Sequence, residues 1–249
     1  MIALALHLLA AQISAGAIVA HVKENDAKIQ DLQTVARMEI VSAGETRTRT
    51  FELSLLREGA GYDARIRLRE PEAMAGTEFL IRAERGERNQ QWAYFPDLDL
   101  VREIAGKNEA DPFLGSDITY ADLAGGAHID DLKHRLLREE TIEGDPCYVM
   151  EGVPKHRIAY GKLHGFIRKR DFAVIGAEFF GHEGEKLKEA KLSDIRDLGG
   201  GTLLAHRIEV RSEASGRRTI LTLSEVKVNE GLSPESFTEE SLGQGRKLP

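Results

Sequence analysis

Alternation of apolar and polar positions dominates the chain. In "FELSL" the residues Phe51, Leu53 and Leu55 fall on one side, with Glu52 and Ser54 opposite. In "YDARIRLR" the set Tyr62, Ala64, Ile66 and Leu68 alternates with Asp63, Arg65, Arg67 and Arg69. A period of two over this length marks a strand with one wet face, so Arg65 and Arg67 are expected to face water. The short Gly-bearing "EGAG" between the two runs makes them an antiparallel hairpin. The same pattern predicts strands at 34–42, 48–57, 62–70, 77–85, 90–95, 99–104, 133–142, 146–153, 159–168, 172–180, 185–196, 202–212 and 217–228. Most are joined by tight polar or Gly-containing turns such as "GHEGE" (181–185) and "LGGGT" (198–202), so up-and-down connections follow. Helical patterns occupy 14–30, the region near 113–124, and the stretch after Ser233-Pro234. Ser14 is placed to cap the first, which carries Ile18, Val22, Ile29 and Leu32.

The predicted fold is mainly β: a large, strongly curved antiparallel sheet with a few covering helices, rather than a βαβ protein. A long antiparallel sheet curls, and its concave face must be filled by side chains, by a helix or by a ligand. Two short helical segments leave room for a cavity there. Its expected lining is drawn from Met38, Ile40, Leu53, Leu55, Ile66, Leu68, Phe79, Trp92 and Phe113. Each lies on an alternating strand face or in the flap near 113–124.

Charge and length narrow the functions open to such a sheet. The net charge of −7 over 249 residues supplies no basic field to neutralise phosphates, which argues against a nucleic-acid partner. The cluster "HGFIRKRDF" (164–172) reads as a solvated strand end or loop. The opening "MIALALHLLAA" is too short to span a bilayer, which takes about 20 residues. It has the apolar run and small-residue end of a secretory signal. Residues 1–11 are therefore expected to be a signal peptide, with 12–249 forming one domain. Cys147 is the one cysteine, so no intrachain disulfide can form, and its strand setting makes it a small buried apolar residue.

The candidate chemistry is thin. Asp97 and Asp99 form a D-x-D, but "FPDL" accounts for Asp97 as a turn residue and Asp99 as the start of the next strand. Asp117 and Asp122 flank a short helix, where carboxylates serve as caps. The eight histidines show no H-x-H or H-E-x-x-H spacing. His206, between Leu204 and Ile208 on one strand face, is the one that stands apart. Gly199-Gly200-Gly201 joins two strands and opens no helix, so it cradles no phosphate. No metal, cofactor or catalytic constellation is expected.

One stretch carries a resemblance. "QWAYFPDLDLVREIAGKNEADPFLGSDITYADL" resembles the segment W-x-Y-x-P-x-L-x-x-V-R-x-I followed by F-x-G-S-D-x-x-Y-x-D-L of outer-membrane lipoprotein-sorting proteins, the LolA/LolB-like periplasmic carriers. The matching residues are Trp92, Tyr94, Pro96, Leu98, Val101, Arg102 and Ile104, then Phe113, Gly115, Ser116, Asp117, Tyr120, Asp122 and Leu123. The likeness continues through 136–155, 178–200 and 218–238. It implies an unclosed antiparallel β-barrel with a helical lid that holds acyl chains in a hydrophobic cavity and ferries them across the periplasm. The partners it implies are lipoprotein or lipid acyl chains, an inner-membrane transporter and an outer-membrane acceptor. The alternative is an interaction module or accessory subunit of an RND/MMPL-type exporter of hydrophobic molecules. An enzyme acting on a lipid-like substrate ranks last, for want of catalytic residues.

Overall fold

The alternating runs fold as thirteen antiparallel strands: β1 (Asp31–Ser42), β2 (Glu45–Glu58), β3 (Gly61–Glu70), β4 (Glu78–Ala83), β5 (Gln90–Phe95), β6 (Leu100–Glu103), β7 (Leu132–Ile142), β8 (Asp145–Pro154), β9 (Lys162–Arg168), β10 (Val174–Phe180), β11 (Lys186–Asp197), β12 (Leu203–Ser212) and β13 (Arg218–Val228). The computed structural model describes residues 13–59, 61–83, 89–105, 108, 110–123 and 129–244. The expected signal peptide, 1–11, lies outside them.

All thirteen strands join one sheet, in the order β6-β5-β4-β3-β2-β1-β13-β12-β11-β10-β9-β8-β7. Every neighbouring pair but one is consecutive in sequence. The exception is β1–β13, which joins the first strand to the last at the middle of the sheet. The two outer strands, β6 and β7, are not paired with each other, so the barrel is unclosed. Short turns dictate this meander, because antiparallel neighbours can be linked by two residues whereas parallel ones need a long crossover. At Gly199–Gly201 all three glycines have positive φ, a backbone path that side chains disfavour, and the chain reverses there between β11 and β12.

Helix α1 (Ala15–Asp26) begins where Ser14 caps it, the hydroxyl oxygen accepting the Ala17 N–H at 3.1 Å. It ends earlier than the pattern suggests. Ile29 and Leu32 follow it, because β2 recruits the chain: Arg57 donates its backbone N–H to Gln30 O and its guanidinium to Ile29 O. Ile18 and Val22 alone of the four lie on the buried helical face. The segment near 113–124 forms a 3-10 turn at Phe113–Gly115 and a single helical turn, α2 (Tyr120–Leu123).

The register assigns each side chain to a face. Ala36, Met38 and Ile40 of β1 align with Leu223, Leu221 and Thr219 of β13. From there the same face runs through Ile208 and Val210 of β12 and Leu192 and Ala190 of β11. It continues over Ala177, Gly165, Met150 and Leu136. This inner face carries both α1 and the flap that contains α2. The outer face carries something the alternation did not announce: the C-terminal stretch, which places Leu232, Phe237 and Leu242 over Leu80, Leu56, Trp92 and Tyr94.

That cover corrects two expectations. Trp92 pairs with Leu80, not with the inner row of Phe79 and Ala93, and so lies on the outer face beneath the C-terminal stretch. Arg65 does not face water but is 2% exposed. Its guanidinium donates to Glu78, itself buried, and to the carbonyls of Ser236 and Ser241, both at 3.0 Å. A cation that tethers carbonyls of the covering segment satisfies its own donors, which is the condition for burying it. Arg67 remains half-buried, 3.7 Å from the other Glu78 oxygen.

Candidate functional site at the inner face

Two covers meet the inner face in different ways. Over β1–β5 the flap fills it: Phe113, 1% exposed, stands edge-on to Phe79 at 5.1 Å and to Phe51 at 6.4 Å between ring centres. Tyr120 packs edge-on against Phe113 at 5.6 Å. Around them lie Met38, Ile40, Ile66 and Leu68, all buried, with Leu53 half-buried beside them. Over β7–β10, Ile18 and Val22 of α1 pack on Met150 and Ile167.

Between the two covers the floor is left half-buried. It consists of Leu53 of β2, Leu221 and Val226 of β13, Leu204 and Ile208 of β12, and Leu192 of β11. Leu53, Leu204, Leu221 and Val226 pack on one side against the core under the flap, and the apolar surface they leave half-buried, with Ile208 and Leu192, is of the kind that seats a hydrophobic ligand. His206 is set into this floor at 3% exposure, with Nδ1 3.1 Å from Leu204 O. A proton on Nδ1 donates to that carbonyl.

The expected lining residues therefore separate into groups. Met38, Ile40, Ile66, Leu68 and Phe79 share the inner face but are packed under the flap, to which Phe113 itself belongs. Leu53 and Leu55 lie on the same face and are half-buried, Leu55 at the end where it pairs with Leu32. Trp92 is on the other side. Leu192, Leu204, Ile208 and Leu221 were missed, although all belong to predicted strands. The one pairing that up-and-down order does not supply, β1 with β13, is what brings these strands onto one face with β2.

The flap is tied to three separate elements. The Tyr62 hydroxyl of β3 donates to Leu123 O. Asp117 meets β13, where Thr219 donates its hydroxyl to the carboxylate and accepts the Asp117 N–H, at 2.8 and 2.9 Å. The third tie is the most charged. Asp122 and Thr119 cap α2 reciprocally: the carboxylate takes the Thr119 N–H at 2.7 Å and the Thr119 hydroxyl takes the Asp122 N–H at 3.2 Å. The same carboxylate accepts from the Tyr160 hydroxyl and from Lys188 Nζ. Lys188, 8% exposed, is held with its ammonium 5.0 Å from the Tyr160 ring centre and 5.2 Å from that of Phe179. Burial and the neighbouring Asp122 charge push the Tyr160 phenol far above its ordinary pKa, so it stays a donor. Capping, as the sequence predicts, is thus half of what Asp122 does; it also spans from the flap to β11.

Asp99 serves a turn, as the D-x-D reading expects of this stretch. It has φ 45° and donates its N–H to Pro96 O at 3.2 Å, so the turn runs from Pro96 to Asp99. Cys147 is fully buried, and burial pushes its thiol pKa up.

Known proteins share this architecture. A DUF1329 family protein from Desulfovibrio piger superposes with a TM-score of 0.86 at 23% identity, over 93% of this chain and 100% of that one. A putative outer membrane lipoprotein-sorting protein domain from Vibrio parahaemolyticus gives 0.83 at 25% identity, over 90% and 97%. A LolA superfamily protein from Nitrosomonas europaea gives 0.72 at 20% identity, over 93% and 100%. No curated protein matches the sequence. Residues 61–244 match a family model described as "-like: Uncharacterized protein", and the chain belongs to that family, with the fold of the outer-membrane lipoprotein-sorting proteins of the LolA superfamily.

Proposed function

We propose that the protein is an exported, periplasmic carrier. It seats the acyl chains of a lipoprotein or other lipid on the inner face and ferries them towards the outer membrane. The observation that carries this reading is the half-buried floor of Leu53, Leu192, Leu204, Ile208 and Leu221 between the flap and α1. The lipoprotein-sorting and LolA-superfamily relatives support it. Residues 1–11 act in this reading as the signal peptide, and an inner-membrane transporter and an outer-membrane acceptor are the donor and recipient.

The energetics suit carriage without chemistry. Each buried methylene contributes ~0.8 kcal/mol, so full burial of a chain of about 16 carbons gives ~12 kcal/mol. A seat realising all of that would scarcely release its cargo. A floor that is partly exposed realises less, and movement of the flap beside it, against the packing of Phe113 and its polar ties, can shift the balance between holding and releasing cargo. Native mass spectrometry of gently purified protein should show bound lipid, and a fluorescent fatty acid should bind and be displaced by phospholipid or lipopeptide.

A second reading, the module of an RND/MMPL-type exporter, is favoured by the filling of the β1–β5 half by Phe113 and Tyr120. Protein that carries no lipid and takes up no probe would select that reading over the carrier.

A further inference from the structure

Uncovered apolar surface is concentrated in one place. Of the four large hydrophobic side chains exposed among the described residues, Phe95, Leu98 and Leu100 all belong to the β5–β6 hairpin, and Leu98 is 70% exposed. The turn that presents them is firmly built. Asp99 closes it onto Pro96, and its carboxylate accepts the Tyr94 hydroxyl at 3.1 Å. Beside the hairpin lies a cleft of 490 Å³ lined by Met74, Phe79, Leu114 and Tyr120, with Phe95 and Leu98 at its lip. The charged residues in that lining, Glu72 and Asp97, are both acids. Asp99 adds a third carboxylate on the same turn.

A fixed turn that holds leucines in water contributes nothing to folding, and a patch of this kind beside a cleft marks an interaction surface. We propose that the hairpin tip and the cleft form a docking surface for a partner protein segment that inserts an apolar side chain flanked by lysine or arginine. The cleft has room for an anchoring apolar side chain together with the chain that carries it. The acids around it select basic neighbours and turn away anionic lipid surfaces, which attract basic segments instead. Leu114 and Tyr120 belong to the flap, so a segment seated here touches the flap. The surface stands on its own geometry, whether or not the floor holds lipid.

The test uses the full chain and two fluorescent peptides, one with Phe and Leu between lysines and the other with glutamates in place of the lysines. The lysine peptide should bind the wild type, read by anisotropy, and the glutamate peptide should bind at least about tenfold more weakly. Leu98→Ser with Leu100→Ser, both exposed and so compatible with the fold, should weaken the lysine peptide by about tenfold or more. Glu72→Lys with Asp97→Lys should reverse the preference between the peptides. Failure of both peptides to bind at millimolar concentration overturns the proposal, and so does equal binding of the two or unchanged binding to the serine variant. Sedimentation of the wild type, but not the serine variant, with phosphatidylglycerol vesicles would assign the surface to a membrane and likewise overturn it.

Discussion

Replacing Asp122 by Ala should loosen the flap, and the structure sets the size of the effect. The substitution leaves the Lys188 ammonium 8% exposed between two aromatic rings with its carboxylate partner gone. Removing one member of a buried ion pair costs about 3–5 kcal/mol, because the stranded charge keeps its desolvation penalty. Asp122 is half-buried, so the cost should fall towards the lower end of that range and salt should reduce it only modestly. Substituting both partners, Asp122→Leu with Lys188→Met, removes the stranded charge. A remainder of about 2 kcal/mol should persist, since the Thr119 N–H loses its cap at ~1 kcal/mol and the Tyr160 hydroxyl its acceptor at ~1 kcal/mol. Denaturant melts read the global part of the loss, and hydrogen exchange at Leu123, whose N–H donates to Thr119 O, reads the local part. Should Asp122→Ala change neither stability nor exchange by more than about 0.5 kcal/mol, the pair does not hold the flap. If the double variant proves worse than Asp122→Ala, the stranded-charge argument fails.

Three further outcomes follow from particular contacts. Phe113→Ala empties the space between Phe51, Phe79 and Tyr120 and should cost about 3–5 kcal/mol in a denaturant melt; a loss under about 1 kcal/mol would show that the flap is not packed there. Ile208→Trp or Leu204→Trp should weaken fatty-acid probe binding while the circular dichroism of the sheet persists, whereas undiminished binding would remove β12 from the seat. Tyr62, pushed up to about 12 by burial, binds its proton more tightly folded than unfolded, so its share of stability is complete below pH 10. That share, about 2–3 kcal/mol, is lost as pH rises from 10 towards 12, and Tyr62→Phe should flatten that alkaline limb of the stability curve.

The sequence discloses the strands well and the faces less well. All the strand centres are legible because period two is local, and because a Gly-bearing or polar turn closes each run. Facing is a tertiary property. In β3, Ala64, Ile66 and Leu68 are buried as their spacing predicts, but Arg65 between them is buried as well, by a segment some 170 residues away. Trp92 illustrates the same limit. Its alternation is correct, yet the sheet is covered on both sides, so apolar no longer means inner. The floor of the candidate site depends on β1 meeting β13, and no local pattern brings β2 and β12 onto one floor.

The break between β6 and β7 has a mechanical consequence. In a closed barrel the circumference is fixed by a continuous ring of backbone hydrogen bonds, and any change of girth must sever some of them. Here the ring is interrupted at one seam. The chain between β6 and β7 contains the flap, so the link between the two outer strands and the plug of the interior belong to one stretch of sequence. The cross-section can then widen or narrow with all twelve ladders intact, resisted by the flap's side-chain ties and by bending of the sheet. Under the proposed carrier function, compliance of this sort would let one scaffold fit cargoes of unequal thickness.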